Sequence, residues 1–259
     1  MLEFAIVSKK DEFSLLHADK IRAILNRYNC SENIEHPEIV ITVGGDGTML
    51  RAVHQYLHLS ESVRFIGVHT GTLGFYTNFL TNEIEEMCQK IVSTAPSYNE
   101  FSLLEIKIKG GKTWYALNEF RIENVYHTQT IKMYMNDQYL QTFKGNGVCI
   151  STSIGSTGYN RSLGGPIVEL SLPLIVMTEI AGIHHRANRS LGSSLVMGKQ
   201  TRFKMILTNN SKSIIGIDHF TLDTSQDMEI TCCLSNKTIK LAQFDDLPYP
   251  KRLHRAFLK

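Results

Sequence analysis

This chain lacks paired cysteine motifs, long apolar runs and charge of one sign, and each absence removes a class of protein. The five cysteines (Cys30, Cys88, Cys149, Cys232, Cys233) are odd in number and contain no CxxC pair, which argues against a disulfide-stapled extracellular scaffold or a zinc ribbon. A reducing cytoplasm is expected. No apolar run approaches the roughly 20 residues that span a bilayer, and the opening MLEFAIVSKKDEF is too short in its apolar part for a secretory signal. Charge of one sign never accumulates: 27 Lys and Arg stand against 25 Asp and Glu, for a net charge of +2. With no basic arm or tail, neither nucleic acid nor a membrane is an expected partner.

Several nucleotide and hydrolase signatures are also missing. Gly45-x-Gly47-x-x-Leu50 lacks the third glycine of a dinucleotide fingerprint, and GGKT at Gly110 to Thr113 has Ile106 where a phosphate-binding loop needs its first glycine. There is no GxSxG elbow and no HExxH. His54 and His58 are four apart, but with no acid between them they read as a solvated helix face. His184-His185 and Trp114 read as surface and core.

Alternating periodicities divide the chain. Up to about Ser93, strands and helices alternate: Leu2 to Val7, Ile39 to Val43 and Val63 to Val68 read as buried strands. Glu12 to Tyr28 reads as a helix with Phe13, Leu16, Ile21, Ile24 and Leu25 on one side, Thr48 to His58 as a second helix, and Asn82 with Glu85 as the capping box of a third. This pattern predicts a parallel α/β domain. Beyond STAPSYNEFSL the period becomes two, as in Leu104, Ile106 and Ile108, and a hairpin is expected around Asn136-Asp137. An antiparallel β-sandwich should follow.

Three stretches carry chemistry. In IVITVGGDGTMLRAVHQY, Gly44, Gly45 and Gly47 bracket Asp46 between a buried strand and a helix, where open α/β folds place ligands and where backbone N–H groups and a helix N-terminus receive phosphate. Asp46, an anion beside an anion site, is suited to taking a proton; alternatively it is a helix cap in a tight turn. FKGNGVCISTSIGSTGYNRSLGGPIV offers hydroxyls at Ser151, Thr152, Ser153, Ser156 and Thr157, close backbone approach at Gly155 and Gly158, and an aromatic face at Tyr159. In LNEF, an amide and a carboxylate, Asn118 and Glu119, can receive the adjacent hydroxyls of a ribose.

Taken together in this order, GGDGT, HTGTLGFYTNF at His69 to Phe79, Asn118-Glu119, the Gly/Ser/Thr segment and GIDH at Gly216 to His219, the sequence resembles an NAD kinase, of the short bacterial type found in Gram-positive species. The resemblance covers nearly the whole chain. It implies an α/β domain over residues 1–97, a β-sandwich NAD-binding domain over 98–244, a site in the cleft between them, and a segment 245–259 that packs back on the first domain. The implied reaction moves the γ-phosphoryl of ATP to the 2′-hydroxyl of the adenosine ribose of NAD, with a divalent cation, taken as Mg²⁺, on the donor phosphates. Asp46 would be the general base and Gly47 a nucleotide contact. Asn118 and Glu119 would hold the ribose hydroxyls and the pyrophosphate side, Thr157, Gly158, Tyr159, Asn160, Arg161 and Ser162 the adenine and ribose pocket, and Phe75 its apolar wall. Asp218 and His219 would lie near the nucleotide, and Lys144, Asn146 and Ala181 would complete a neighbouring subunit's site in a homotetramer or dimer. Because GGDGT is shared with lipid kinases, a lipid kinase is one alternative; a silent NAD(P)-sensing module is another. The chain departs from the family pattern at Asn146, where aspartate is usual, at Ser153 in place of proline, and at Gly158 in place of alanine. If Asn146 faces the adenine amino group, an aspartate there should tighten NAD.

Overall fold

The computed structural model describes residues 1–71, 74–93, 97–186, 188–208, 213–224, 227–243 and 249–258. Parts of three stretches named above lie outside these residues: positions 72–73, 94–96 and 244–248. Two compact units result, one formed by Met1–Phe101 and Lys237–Lys259, the other by Ser102–Asn236. The chain thus returns to the first unit from Lys237, earlier than the expected position 245, because the end of a long strand supplies part of the first unit's own sheet.

The first unit is built from β1 (Glu3–Ser8), α1 (Glu12–Arg27), β2 (Ser31–Glu32), β3 (Ile39–Gly44), α2 (Asp46–Gln55), β4 (Arg64–His69), β5 (Phe79–Leu80), α3 (Ile84–Ser93) and the start of β6 (Ser97–Ile108). β2, β1, β3 and β4 lie side by side in parallel, in the registers Glu3↔Ser31, Phe4↔Ile39 and Ile39↔Arg64, and β5 adds to β4. All six residues of β3 are buried, the continuous apolar pattern of a strand covered on both faces.

The helices follow from sequence with three corrections. α1 starts because Asp11 Oδ1 accepts the Ser14 N–H at 2.9 Å, and it buries Ser14, Ala18, Ile21, Ile24 and Leu25. Phe13 and Leu16 are 51% and 66% exposed, since the stripe that repeats every three to four residues runs through Ser14 and Ala18 and leaves those two to either side. α2 starts at Asp46 and stops at Gln55, so His58 lies on the following 3₁₀ turn and not on the helix of His54. Before α3 it is Glu83, not Glu85, that reaches back, its Oε2 accepting the Leu80 N–H at 2.7 Å.

The second unit contains the rest of β6, β7 (Thr113–Ala116), β8 (Glu119–Glu123), β9 (Gln129–Met135), β10 (Gln138–Gly145), β11 (Gly147–Thr152), the short α4 (Tyr159–Ser162), β12 (Leu174–Ile180), β13 (Leu195–Gly198), β14 (Arg202–Leu207), β15 (Ile214–Ile217), β16 (Phe220–Asp223) and most of β17 (Glu229–Gln243). One antiparallel sheet has the order β13-β12-β11-β8-β15-β16, and β10-β9-β14-β17 form a second antiparallel set. Alternate residues of both meet in one core, with Phe120, Ile122, Val148, Ile150 and Ile217 from the first and Ile131, Met133, Phe143, Phe203 and Met205 from the second. That is the expected sandwich. The β9–β10 turn has positive φ at Asn136 and Asp137 (50° and 64°), the tight hairpin turn these residue types favour. After β17 the chain reaches α5 (Tyr249–Phe257) in the first unit.

One contact fixes the geometry around β4. A Cβ on Gly67 would stand 2.8 Å from the Thr77 Cα and 2.9 Å from the Tyr76 carbonyl oxygen, and the Asn78 N–H donates to Gly67 O at 3.0 Å. Residues 76–78 therefore lie directly on the strand, with no room for a side chain. Gly67→Ala is expected to destabilise the protein by roughly 1–3 kcal/mol, the usual range for overpacking a filled interior. Equilibrium urea unfolding measures this, and an unchanged midpoint would mean that the loop can lift away.

Candidate active site

Within the first unit, the turn between β3 and α2 carries the glycine-bracketed acid. Gly45 caps α2 without a side chain, and Asp46 is the first helical residue. A cavity of about 720 Å³ opens here, lined by Lys9, Lys10, Gly45, Gly47, Arg51 and His69 among others. A Cβ on Gly47 would meet nothing within 4 Å, so the main chain of the turn borders open space. Lys10, Arg51 and Lys9, the last paired with Asp11 at 3.2 Å, stand with main-chain glycine and a helix N-terminus around one cavity, an arrangement suited to a polyanion such as the phosphates of a nucleotide.

Asp46 does not cap its own helix. Its carboxylate crosses to the loop after β4, where Oδ2 accepts the Phe75 N–H at 3.0 Å and Oδ1 accepts the Tyr76 N–H at 3.1 Å. Gly74 makes that approach feasible, since a Cβ there would fall 2.2 Å from Asp46 Oδ1. The helix-cap alternative is thereby replaced by a loop anchor. Phe75 is 6% exposed, its ring 5.0 Å from that of Phe257, so it is packed by α5 and does not present an open wall.

Within the second unit, Asn118 and Glu119 sit where the chain bends from β7 into β8. The bend is held by Asp218, which has φ of +49° and accepts three backbone N–H groups, from Leu117 (2.7 Å), Asn118 (2.8 Å) and Glu119 (3.2 Å). Asp218 thus shapes the Asn118-Glu119 corner through the main chain. From the other side Thr152 Oγ1 donates to Leu117 O at 2.6 Å. A Cβ on Gly158 would lie 3.4 Å from both Asn118 Nδ2 and Glu119 Oε2, so the two side chains converge beside the Gly/Ser/Thr segment.

Glu119 is 5% exposed. Its Oε1 accepts from Arg121 Nη1 at 3.2 Å, while Oε2 is buried and has no partner among the described residues. Burial first, then the charge of Asp218, raises the carboxyl from 4.5 to about 7, against the pull of Arg121 and of the Tyr159 main-chain N–H. Arg121 also pairs with Glu123 at 3.3 Å and lies 4.9 Å from the centre of the Tyr159 ring; burial and the neighbouring Glu123 push the Tyr159 hydroxyl up to about 12.

The remaining residues divide. Thr157 Oγ1 donates to Ile154 O at 3.2 Å. Asn160, fully buried, ties Ser156 O and Pro166 O (3.0 Å each) and accepts from Thr178, so it is a structural latch. Arg161, Ser162 and His219 are exposed, the last with its ring 4.1 Å from Phe220. Lys144, Asn146 and Ala181 gather at the opposite end of β11 from Asn118: the Ile183 N–H donates to Lys144 O at 2.8 Å, and Gly145 approaches the Ala181 carbonyl. Asn146 is committed, its Nδ2 donating to Asn124 O at 2.7 Å and its own carbonyl accepting from Gln129 Nε2. An aspartate there would set its charge against the Asn124 carbonyl, so this geometry does not support the expected gain in NAD affinity.

Sequence reasoning missed Lys9, Lys10, Arg51, Gly74, Arg121 and Arg252. For Arg121 a signal existed, the alternation of Glu119, Arg121 and Glu123 along a strand with period two; for the others none was visible.

Two family models match in order: the ATP-NAD kinase N-terminal domain over residues 8–95 and the ATP-NAD kinase C-terminal domain over 117–244. The chain is 36% identical over 262 residues to an NAD kinase from Geobacillus stearothermophilus, covering 99% of this chain and 97% of that one. Its fold is similar to that of a yeast NADH kinase solved with NADH (TM-score 0.84, 18% identity, 98% of this chain and 86% of that) and of an NAD kinase from Archaeoglobus fulgidus solved with ATP (0.78, 23%, 93% and 94%). With both domains matched over most of its length, the chain belongs to the NAD kinase family.

Proposed function

We propose that Asp46 accepts the proton of the 2′-hydroxyl of NAD's adenosine ribose while the γ-phosphoryl of ATP moves onto that oxygen. Family membership makes the overall reaction NAD plus ATP to NADP plus ADP. The lipid-kinase alternative rested on GGDGT alone and has no further support, since both halves of the chain match NAD kinases. The observation that carries the role of Asp46 is its position: it is the acid on the turn that borders the cationic cavity.

In the reaction the 2′-oxygen forms a bond to the γ-phosphorus as the bond to the β,γ-bridging oxygen breaks, and ADP leaves with that electron pair. The proton passes to Asp46 and then to solvent. Each Asp46 oxygen takes one backbone N–H, which leaves lone pairs for the hydroxyl, because a carboxylate offers about four acceptor sites. Lys9, Lys10 and Arg51 offset the charge of the donor phosphates. Among the described residues no group of three or more His, Cys, Asp or Glu could hold a metal ion. We assign the divalent cation, taken as Mg²⁺, to the nucleotide.

Glu119 and Asn118 are assigned to the ribose hydroxyls of NAD. A buried carboxylate oxygen without a partner is costly unless a donor arrives, and a sugar hydroxyl is such a donor. Lys144, Asn146 and Ala181, set apart at the far end of β11, are assigned to a neighbouring subunit of a homotetramer. The five free thiols support a cytoplasmic location. Among the described residues no helix is long and apolar enough to cross a membrane.

Three measurements test these assignments. With ATP, Mg²⁺ and NAD, the protein yields NADP; chelating the cation stops it, and Asp46→Asn lowers kcat by ~10²–10⁴ with KM for NAD little changed. Because an amide at position 46 also loosens the loop, Thr77→Val is the control: it removes the Gly74 N–H···Oγ1 bond of 3.2 Å in the same loop and leaves Asp46 intact. Equal losses in both variants would assign the effect to loop geometry.

The second concerns pH. Since the Glu119 carboxyl is raised to about 7 in the folded protein, it favours folding when protonated; that contribution is complete below the unfolded value of 4.5 and is lost as pH rises through about 7. NAD affinity runs the other way, because hydroxyl donors need the ionised acceptor. Glu119→Gln should flatten both the melting temperature and the NAD affinity between about pH 5 and 8, and unchanged slopes in the variant would remove the assignment.

The third is sedimentation velocity, expected to give a tetramer at micromolar protein. A stable, active monomer would withdraw the inter-subunit role of Lys144, Asn146 and Ala181.

A further inference from the structure

The peptide group joining Phe75 to Tyr76 is held at both ends. Its N–H, that of Tyr76, donates to Asp46 Oδ1 at 3.1 Å, and its carbonyl, that of Phe75, accepts from Arg252 Nη1 of α5 at 2.9 Å. The adjacent N–H of Phe75 goes to Asp46 Oδ2 at 3.0 Å. Phe257, at the end of the same helix, packs its ring 5.0 Å from that of Phe75. Lys251 and His254 of α5 are exposed, whereas Arg252 is half-buried against the loop.

We infer that Arg252 is a positioning residue for phosphoryl transfer: its guanidinium fixes the Phe75–Tyr76 peptide so that the loop presents two N–H groups to Asp46. A peptide group can rotate about its flanking bonds unless both ends are held. With a cation on the carbonyl and an anion on the N–H, the peptide dipole is aligned between them, and each hydrogen bond strengthens the other. Gly74 is needed for this contact, because a Cβ there would fall 2.2 Å from Asp46 Oδ1 and push the carboxylate off the loop. The C-terminal helix is thereby a strut for the base, and Arg252 acts through the loop without touching substrate.

The inference rests on Asp46 being the base, so the two are tested together through kcat and KM for NAD in Asp46→Asn, Arg252→Met, Arg252→Lys and the double variant Asp46→Asn/Arg252→Met. Loss of one charge-assisted hydrogen bond predicts a fall in kcat of about 10- to 100-fold for Arg252→Met, with KM for NAD within about threefold of wild type. Arg252→Lys keeps a cationic donor and should recover part of the rate. If Arg252 works through Asp46, the double variant is no slower than Asp46→Asn alone. Should Arg252→Met prove too unstable to assay, Arg252→Gln, which keeps a neutral donor for the Phe75 carbonyl, is compared in the same cycle and should lose less. Two results overturn the positioning role while sparing the base: Arg252→Met turning over within about threefold of wild type beside an inactive Asp46→Asn, or losses that multiply in the double variant. A fully active Asp46→Asn would remove the base assignment itself, and the positioning role with it.

Discussion

The recurring interaction in this protein is a carboxylate that collects backbone N–H groups from a loop distant in sequence. Asp46 takes those of Phe75 and Tyr76, and Asp218 takes those of Leu117, Asn118 and Glu119. Hydrogen bonds to a charged acceptor contribute roughly 1.5–3 kcal/mol each, enough to hold an otherwise irregular segment in one conformation. One such aspartate stands in each of the two units, and in each the segment so held carries or borders residues assigned to substrate. Loops placed by a side chain in this way need not be long or apolar to hold one conformation.

The same interaction explains where bulk is forbidden. Main chain can approach a carboxylate only where no Cβ intervenes, which is why Gly74 stands beside Asp46, with 2.2 Å between its would-be Cβ and Oδ1. It also separates the fates of the acids. Asp46 and Asp218 spend their oxygens on backbone N–H groups, whereas Glu119 is buried with one oxygen that has no partner among the described residues, and its carboxyl is raised to about 7. Burial, and after it the charge of Asp218, sets the Glu119 carboxyl apart.

Much of the fold was legible in the sequence because period and composition act locally. The buried run Ile39 to Val43, the period-two segment from Leu104 and the Asn136-Asp137 turn each declare themselves within a few residues. The face of α1 was misjudged because Phe13 and Leu16 are apolar but stand off the buried stripe, where Ser14 is admitted by its hydrogen bonds to Asp11. At the site, the residue types were legible and their partners were not. Asp46 meets its loop across 29 positions, Asp218 meets Asn118 across 100, and Arg252 meets Phe75 across 177. No local pattern encodes such pairings.

The departures from the family pattern bear on how such a site can change without losing its reaction. Ser153, where proline is usual, donates to Leu172 O and accepts the Leu174 N–H at 3.2 Å, bonds that a proline side chain cannot make. Asn146 satisfies Asn124 O with a donor that an aspartate would lack. At Gly158, an alanine methyl would sit 3.3 Å from Gly155 O and 3.4 Å from Glu119 Oε2, tight but attainable with a small shift. The glycine leaves that space open beside Glu119 Oε2, which has no partner among the described residues. Ser153 and Asn146 are bonded to main chain and Gly158 borders free space, so none of the three disturbs the bonding that places Asp46, Asn118 and Glu119. The constraint that cannot be relaxed in the same way is the placement of those three residues by the loops that hold them.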